Sequence, residues 1–127
     1  MPSSPPIHFT FAFDDERQVI RVVTSGTWSV SDVDRYAADF RRHIATARER
    51  FGAVRALVDG REAVTQDAEV GKRLALLSCL FDRPGDRFAV VTPTSLRKQQ
   101  ASRDGLPETG MAFVSPDAAE MWLFAHD

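Results

Sequence analysis

Cysteine is nearly absent from this chain: Cys79 is the only one in 127 residues. No disulfide can form within one chain, which fits a reducing compartment and makes the cytoplasm the expected location. Cys79 lies in an apolar helical run and is expected to be a buried, inert thiol, since a nucleophilic cysteine needs an open, electropositive setting. Lysine is scarce too. Lys72 and Lys98 are the only two among 16 basic residues, and the formal net charge is -2. With no basic field to hold a polyanion, nucleic acid is not expected as a partner. No apolar run approaches the roughly 18 residues of a membrane helix, so no membrane insertion is expected. The first residues, MPSSPPIHF, have neither the basic nor the apolar region of a signal peptide. Residues 1–6 are rich in Pro and Ser and read as a flexible leader, with residues 7–127 as one domain.

The usual chemical motifs are missing as well. There is no G-x-G-x-x-G after a strand, no G-x-S-x-G elbow and no H-E-x-x-H. Gly71-Lys72 suggests a phosphate loop, but Gln66 stands where its first glycine belongs and Arg73 where a hydroxyl would hold a metal. His8, His43 and His126 are scattered without metal-ligand spacing, so neither a metal nor a cofactor is expected. The carboxylate pairs Asp59/Asp67 and Asp32/Asp34 could serve acid–base chemistry only if one member were perturbed by burial or a partner. Helix capping and loop hydrogen bonding account for all four. The basic cluster Arg97, Lys98 and Arg103, like the arginine row Arg41, Arg42, Arg48 and Arg50, reads first as a solvated helix face.

What is present is a clear alternation of strand and helix patterns. Ile7, Phe9, Phe11 and Phe13 are spaced by two, as in a half-buried strand over residues 7–13. Residues 19–24 (VIRVVT) form a second β-branched strand, and the short polar turn between them suits an antiparallel hairpin. Val33, Tyr36, Ala37, Phe40, Ile44, Ala47 and Phe51 then step by three and four along one helical stripe. Ser29 or Ser31 can cap that helix, Trp28 and Val33 can staple it, and Gly52 stops it. Strands are expected at 54–58, 88–91 and 111–114, and helices at 67–80, 95–103 and 118–124. Ser115-Pro116-Asp117 is a strong start for the last helix. The order β-β-α-β-α-β-α-β-α implies an α/β domain with a mixed, mostly parallel sheet and helices packed on it.

The stretch VRALVDGREAVTQDAEVGKRLALLSCL, residues 54–80, organises this pattern. It reads as a buried strand that breaks at Asp59-Gly60, a polar turn, and a helix with Val70, Leu74, Leu77 and Phe81 as its stripe. In open α/β sheets ligands sit beyond the carboxyl ends of the strands, so this turn is the expected site. Its residues are Asp59, Gly60, Arg61, Thr65, Asp67, Ala68 and Lys72. The second helix carries more apolar residues than one face can bury, so a homodimer is an open expectation.

Three segments together resemble the STAS domain superfamily, the anti-sigma-factor-antagonist (SpoIIAA-like) fold: VIRVVTSGTWSVSDVDRY, ALVDGREAVTQDAEVG and MAFVSPDAAEMWL. The likeness spans about residues 7–125. In the phosphorylated members a Ser follows an Asp at the start of the second helix and is modified by a kinase partner. Aligning Asp59 with the strand-end acid puts Asp67 at the motif Asp and Ala68, which has no hydroxyl, at the acceptor. The resemblance therefore implies a divergent branch that is not switched by phosphorylation at that spot. The leading expectation is a non-enzymatic cytoplasmic regulatory or protein-binding module that uses the 59–72 turn. The alternative is a carrier of a small apolar or lipid-like anionic ligand, and an enzyme using Asp59 or Asp67 with Arg61 is the weakest reading.

Overall fold

The alternating N-terminal segment becomes β1 (His8–Asp14), and the β-branched segment becomes β2 (Val19–Thr27), paired antiparallel from His8↔Ser25 to Asp14↔Val19. This computed structural model describes residues 6–64, 68–103 and 106–125. Then follow α1 (Val30–Phe51), β3 (Arg55–Val64), α2 (Ala68–Leu76) running into a 3-10 turn (Leu77–Leu80), β4 (Arg87–Val91), α3 (Ser95–Arg103), β5 (Gly110–Phe113) and α4 (Pro116–Leu123). The sheet order is β1-β2-β3-β4-β5, with every pair after the hairpin parallel. The expected α/β class, mixed sheet and element order are therefore found. Residues 1–5 of the expected leader lie outside the described residues.

Helix α1 begins where the sequence allows two caps, and Ser29 is the one used. Its hydroxyl accepts from the Asp32 N–H at 3.3 Å, while the Asp32 carboxylate accepts from the Ser29 N–H at 2.8 Å. Each partner satisfies a donor that the first turn would leave open. Trp28 and Val33, the expected staple pair on either side of this cap, are both buried in the same core cluster. The inner stripe of α1 packs with Phe9, Phe11 and Phe13 of β1, and Phe40, fully buried, lies edge-on to Phe11 and Phe81. Fully burying one such apolar side chain contributes about 1.5–3 kcal/mol. A second, smaller core on the opposite face joins Val19, Ala89 and Val91 to Ala119 and Leu123 of α4.

Three expectations need correction. Strand β3 does not break at Asp59-Gly60 but continues to Val64. It does so because β2 also extends through Gly26-Thr27 and supplies ladder partners as far as Thr27↔Val64. Between Val23↔Asp59 and Ser25↔Glu62 the ladder carries one extra residue on β3, a bulge of the kind that re-aims side chains. Second, the regular helix of the 67–80 segment ends at Leu76 and tightens into the 3-10 turn. Third, Cys79 is exposed: the change of pitch at Leu77 keeps Leu77 and Ser78 buried and turns Cys79 outward. Leu76 also faces outward, 65% exposed.

Asp86 lies in the loop before β4, yet its side chain is fully withdrawn from solvent. It accepts from the Val54 N–H at 2.8 Å, the Arg83 N–H at 3.1 Å and the Arg48 guanidinium at 3.0 and 3.3 Å. Burial pushes its carboxyl up, but Arg48 and the two backbone donors outweigh burial and hold it below the ordinary value. Such a group stabilises the fold fully above the unfolded carboxylate value near 3.9 and loses that contribution as pH falls through the lower folded value. Removing one partner of a buried pair leaves an uncompensated charge and costs about 3–5 kcal/mol. Asp86→Ala is therefore expected to lower the melting temperature by roughly 10 °C or more in thermal denaturation. It should also weaken the loss of stability that the wild type shows below about pH 4.

Candidate functional site

A cavity of about 150 Å³ lies between the sheet and the helices, over the carboxyl-terminal halves of β3 and β4. Its floor is Val58, Gly60 and Ala63 of β3 with Phe88 and Val90 of β4; α2 contributes Gly71, Leu74 and Ala75 to the wall. Two local facts leave this space open. One is side-chain size: Gly60, Ala63, Gly71, Ala75 and Ala101 all line it, so the positions that could fill it carry few or no atoms. The other is α3, which is polar and contributes no buried residue, so the layer above β4 is thinly packed. A Cβ on Gly60 would sit 3.2 Å from the Val91 carbonyl oxygen, which ties that glycine to close strand packing.

The wall is mostly apolar, and its polar groups are few. The Thr24 hydroxyl donates to the Asp59 carbonyl at 3.2 Å, and the Thr92 hydroxyl lies 3.2 Å from the carbonyls of Thr94 and Phe113. Arg97 and Gln100 approach from α3. Tyr36 approaches from α1, set among the rings of Phe9, Phe11, Trp28 and Phe40 at centroid distances of 5.0–5.5 Å. It is 3% exposed, and burial alone pushes its phenol well above the ordinary value.

Of the five described residues among the seven expected to form the site, Gly60 alone lines the cavity. Asp59 alternates with Val58 and Gly60 along β3, so it projects from the other face of the sheet. There it takes a two-pronged ion pair from Arg61, at 2.9 and 2.8 Å, with the Arg61 N–H adding a third bond at 3.2 Å. Those bonds from Arg61 outweigh partial burial and hold the Asp59 carboxyl below its ordinary value. An acid so held is a poor proton shuttle at neutral pH. Ala68 and Lys72 are exposed on α2, and Thr65 and Asp67 lie outside the described residues. The other pair divides between a cap and a surface contact: Asp32 completes the capping box and Asp34 lies 3.6 Å from Arg73. His8 is exposed and His43 stacks on Phe11, with Nδ1 2.7 Å from the Asp39 carbonyl oxygen. Among the described residues, no group of His, Cys, Asp and Glu could hold a metal ion, and no helix is long and apolar enough to cross a membrane.

Sequence reasoning missed Tyr36 as a wall residue, although a signal existed: it is the only tyrosine and it sits inside an apolar helical stripe.

Comparison with solved structures bears on this arrangement of strands and helices. The chain is similar to an uncharacterised protein of the DUF3478 family from Shewanella loihica PV-4, itself described as having a SpoIIAA-like fold. The TM-score is 0.63 at 14% identity, over 97% of this chain and 99% of that one. This chain has a SpoIIAA-like fold. No family model matches the sequence, and no curated protein matches it. Within the SpoIIAA-like fold, the parallel strands run in sequential order, so there is no reversal of strand order to open a crevice at the sheet edge. The open space instead lies inside the layer beneath α2 and α3.

The Asp59–Arg61 pair is partly solvated, and such pairs contribute about 0–1 kcal/mol. Asp59→Ala is expected to change the free energy of unfolding by less than about 1 kcal/mol in denaturant titration. A loss of several kcal/mol would instead make this pair a structural element of β3.

Proposed function

We propose that this domain is a non-catalytic binding module that takes a small apolar molecule into the cavity beneath α2 and α3. The observation that carries this reading is the cavity itself, about 150 Å³ in volume with a largely apolar wall. A dry cavity of about this volume, lined by Leu, Ile and Phe, is large enough to bind benzene. Pockets of this kind take their affinity from apolar surface and their specificity from a few placed polar groups. The regulatory or protein-binding reading of the fold is kept as a second one, supported by the double role of α2. Its inner residues Gly71, Leu74 and Ala75 wall the cavity, while Ala68, Lys72 and Leu76 face outward, where a partner protein or a second copy could read occupancy. Ala68 offers no hydroxyl, so in this reading the signal is the ligand and not phosphorylation. A single thiol without a disulfide partner supports a cytoplasmic setting.

Toluene is a suitable test molecule. It should raise the melting temperature of the wild type in a concentration-dependent way, because a ligand that binds only the folded state stabilises it by mass action. Ala63→Leu places three further carbon atoms in the cavity. That variant should keep or raise the intrinsic melting temperature and lose the toluene response, measured by differential scanning fluorimetry. A wild type insensitive to toluene at saturation would contradict the reading.

A further inference from the structure

The wall of the cavity contains three hydroxyl groups, and they are not equivalent. Those of Thr24 and Thr92 already lie within hydrogen-bond distance of backbone carbonyls. The phenol of Tyr36 has no hydrogen-bond partner among the described residues, although the side chain is 3% exposed and its ring is packed on four neighbouring aromatic rings. A ligand that shuts this hydroxyl off from water without offering an acceptor would leave it unpaired, at a cost in free energy. Burial also raises the phenol's pKa, so it remains a neutral O–H donor throughout the working pH range. The surrounding rings allow the hydroxyl little freedom to swing elsewhere, so the donor is already in place before anything binds.

We propose that Tyr36 is the specificity determinant of the cavity, donating a hydrogen bond to a ligand that combines a ring of about benzene size with one acceptor such as a carbonyl, ether or nitrile. This inference rests on the reading of the cavity as a ligand site and adds the chemical class of its occupant. A purely apolar molecule of the same shape fills the space but leaves the phenol unpaired. A molecule with an acceptor at that end pairs it. Sites built to hydrogen-bond a ligand discriminate against analogues lacking the group for this reason.

Benzonitrile and phenylacetylene have nearly the same shape, and only the first carries a strong acceptor. Their affinities are measured by NMR titration against the full-length wild type and Tyr36→Phe, which keeps the ring packing and removes only the hydroxyl. The C≡N stretch of bound benzonitrile is recorded in parallel as a direct report of hydrogen bonding. The expected result is that both probes bind the wild type. In Tyr36→Phe the affinity for benzonitrile falls by about 3- to 10-fold, the affinity for phenylacetylene is unchanged, and the nitrile stretch shifts between the two proteins. If both probes bind and the variant weakens neither or weakens both alike, the role of Tyr36 is overturned while the cavity reading stands. If neither probe binds the wild type, the cavity reading fails and takes this inference with it.

Discussion

The carboxylate of Asp86 holds one end of this domain together. It binds the Val54 N–H just before β3, the Arg83 N–H in its own turn, and the guanidinium of Arg48 in the last turn of α1. In one buried cluster it thus fixes where α1 ends, where β3 enters the sheet and where β4 begins. A charge at this depth is stable only because every part of it is matched by a donor. The registers of the two central strands follow from that anchor, since Arg55 pairs with Arg87 at the first step and the ladder runs on to Asp59↔Val91.

The opposite end of the sheet has no comparable clamp among the described residues. There β3 outruns β4 by several residues and pairs only with β2, through a bulge beside Thr24. The bulge brings both Gly60 and Ala63 to the inner wall, where strict alternation would have placed only one of them. Small residues on β3 and α2, and a polar α3 above, leave space that the large side chains of α1 border but do not fill. The domain is therefore fastened at the amino ends of its strands and open inside at their carboxyl ends. That asymmetry is what makes a binding reading follow from the packing.

Much of this fold was legible in the residues. The 2-residue period of β1, the helical stripe of α1 with its Ser29 cap, and the Ser115-Pro116-Asp117 start of α4 are local signals, and local physics decides them. The resemblance to SpoIIAA-like proteins pointed to the same fold. The site was less legible, for reasons that also have physical names. Asp59-Gly60 carries turn chemistry, but the ladder offered by the long β2 overrides it, a tertiary effect that no window around residue 59 contains. Cys79 looked buried because the helical period was carried through Leu77, where the helix in fact tightens. The role of Asp86 is not legible locally because two of its partners, Val54 and Arg48, lie 32 and 38 residues away in the chain. A cavity is an absence of atoms contributed by several elements at once, and no single segment announces it.

The most direct test of the central claim is to locate a bound molecule. Intermolecular nuclear Overhauser effects between toluene and the methyl groups of the protein would do so. The account predicts contacts to Val58, Leu74, Leu77 and Val90, whose side chains meet around the cavity. Contacts confined to the outward-facing Leu76, Leu96 and Met121 would show that toluene only wets the surface, and would contradict it.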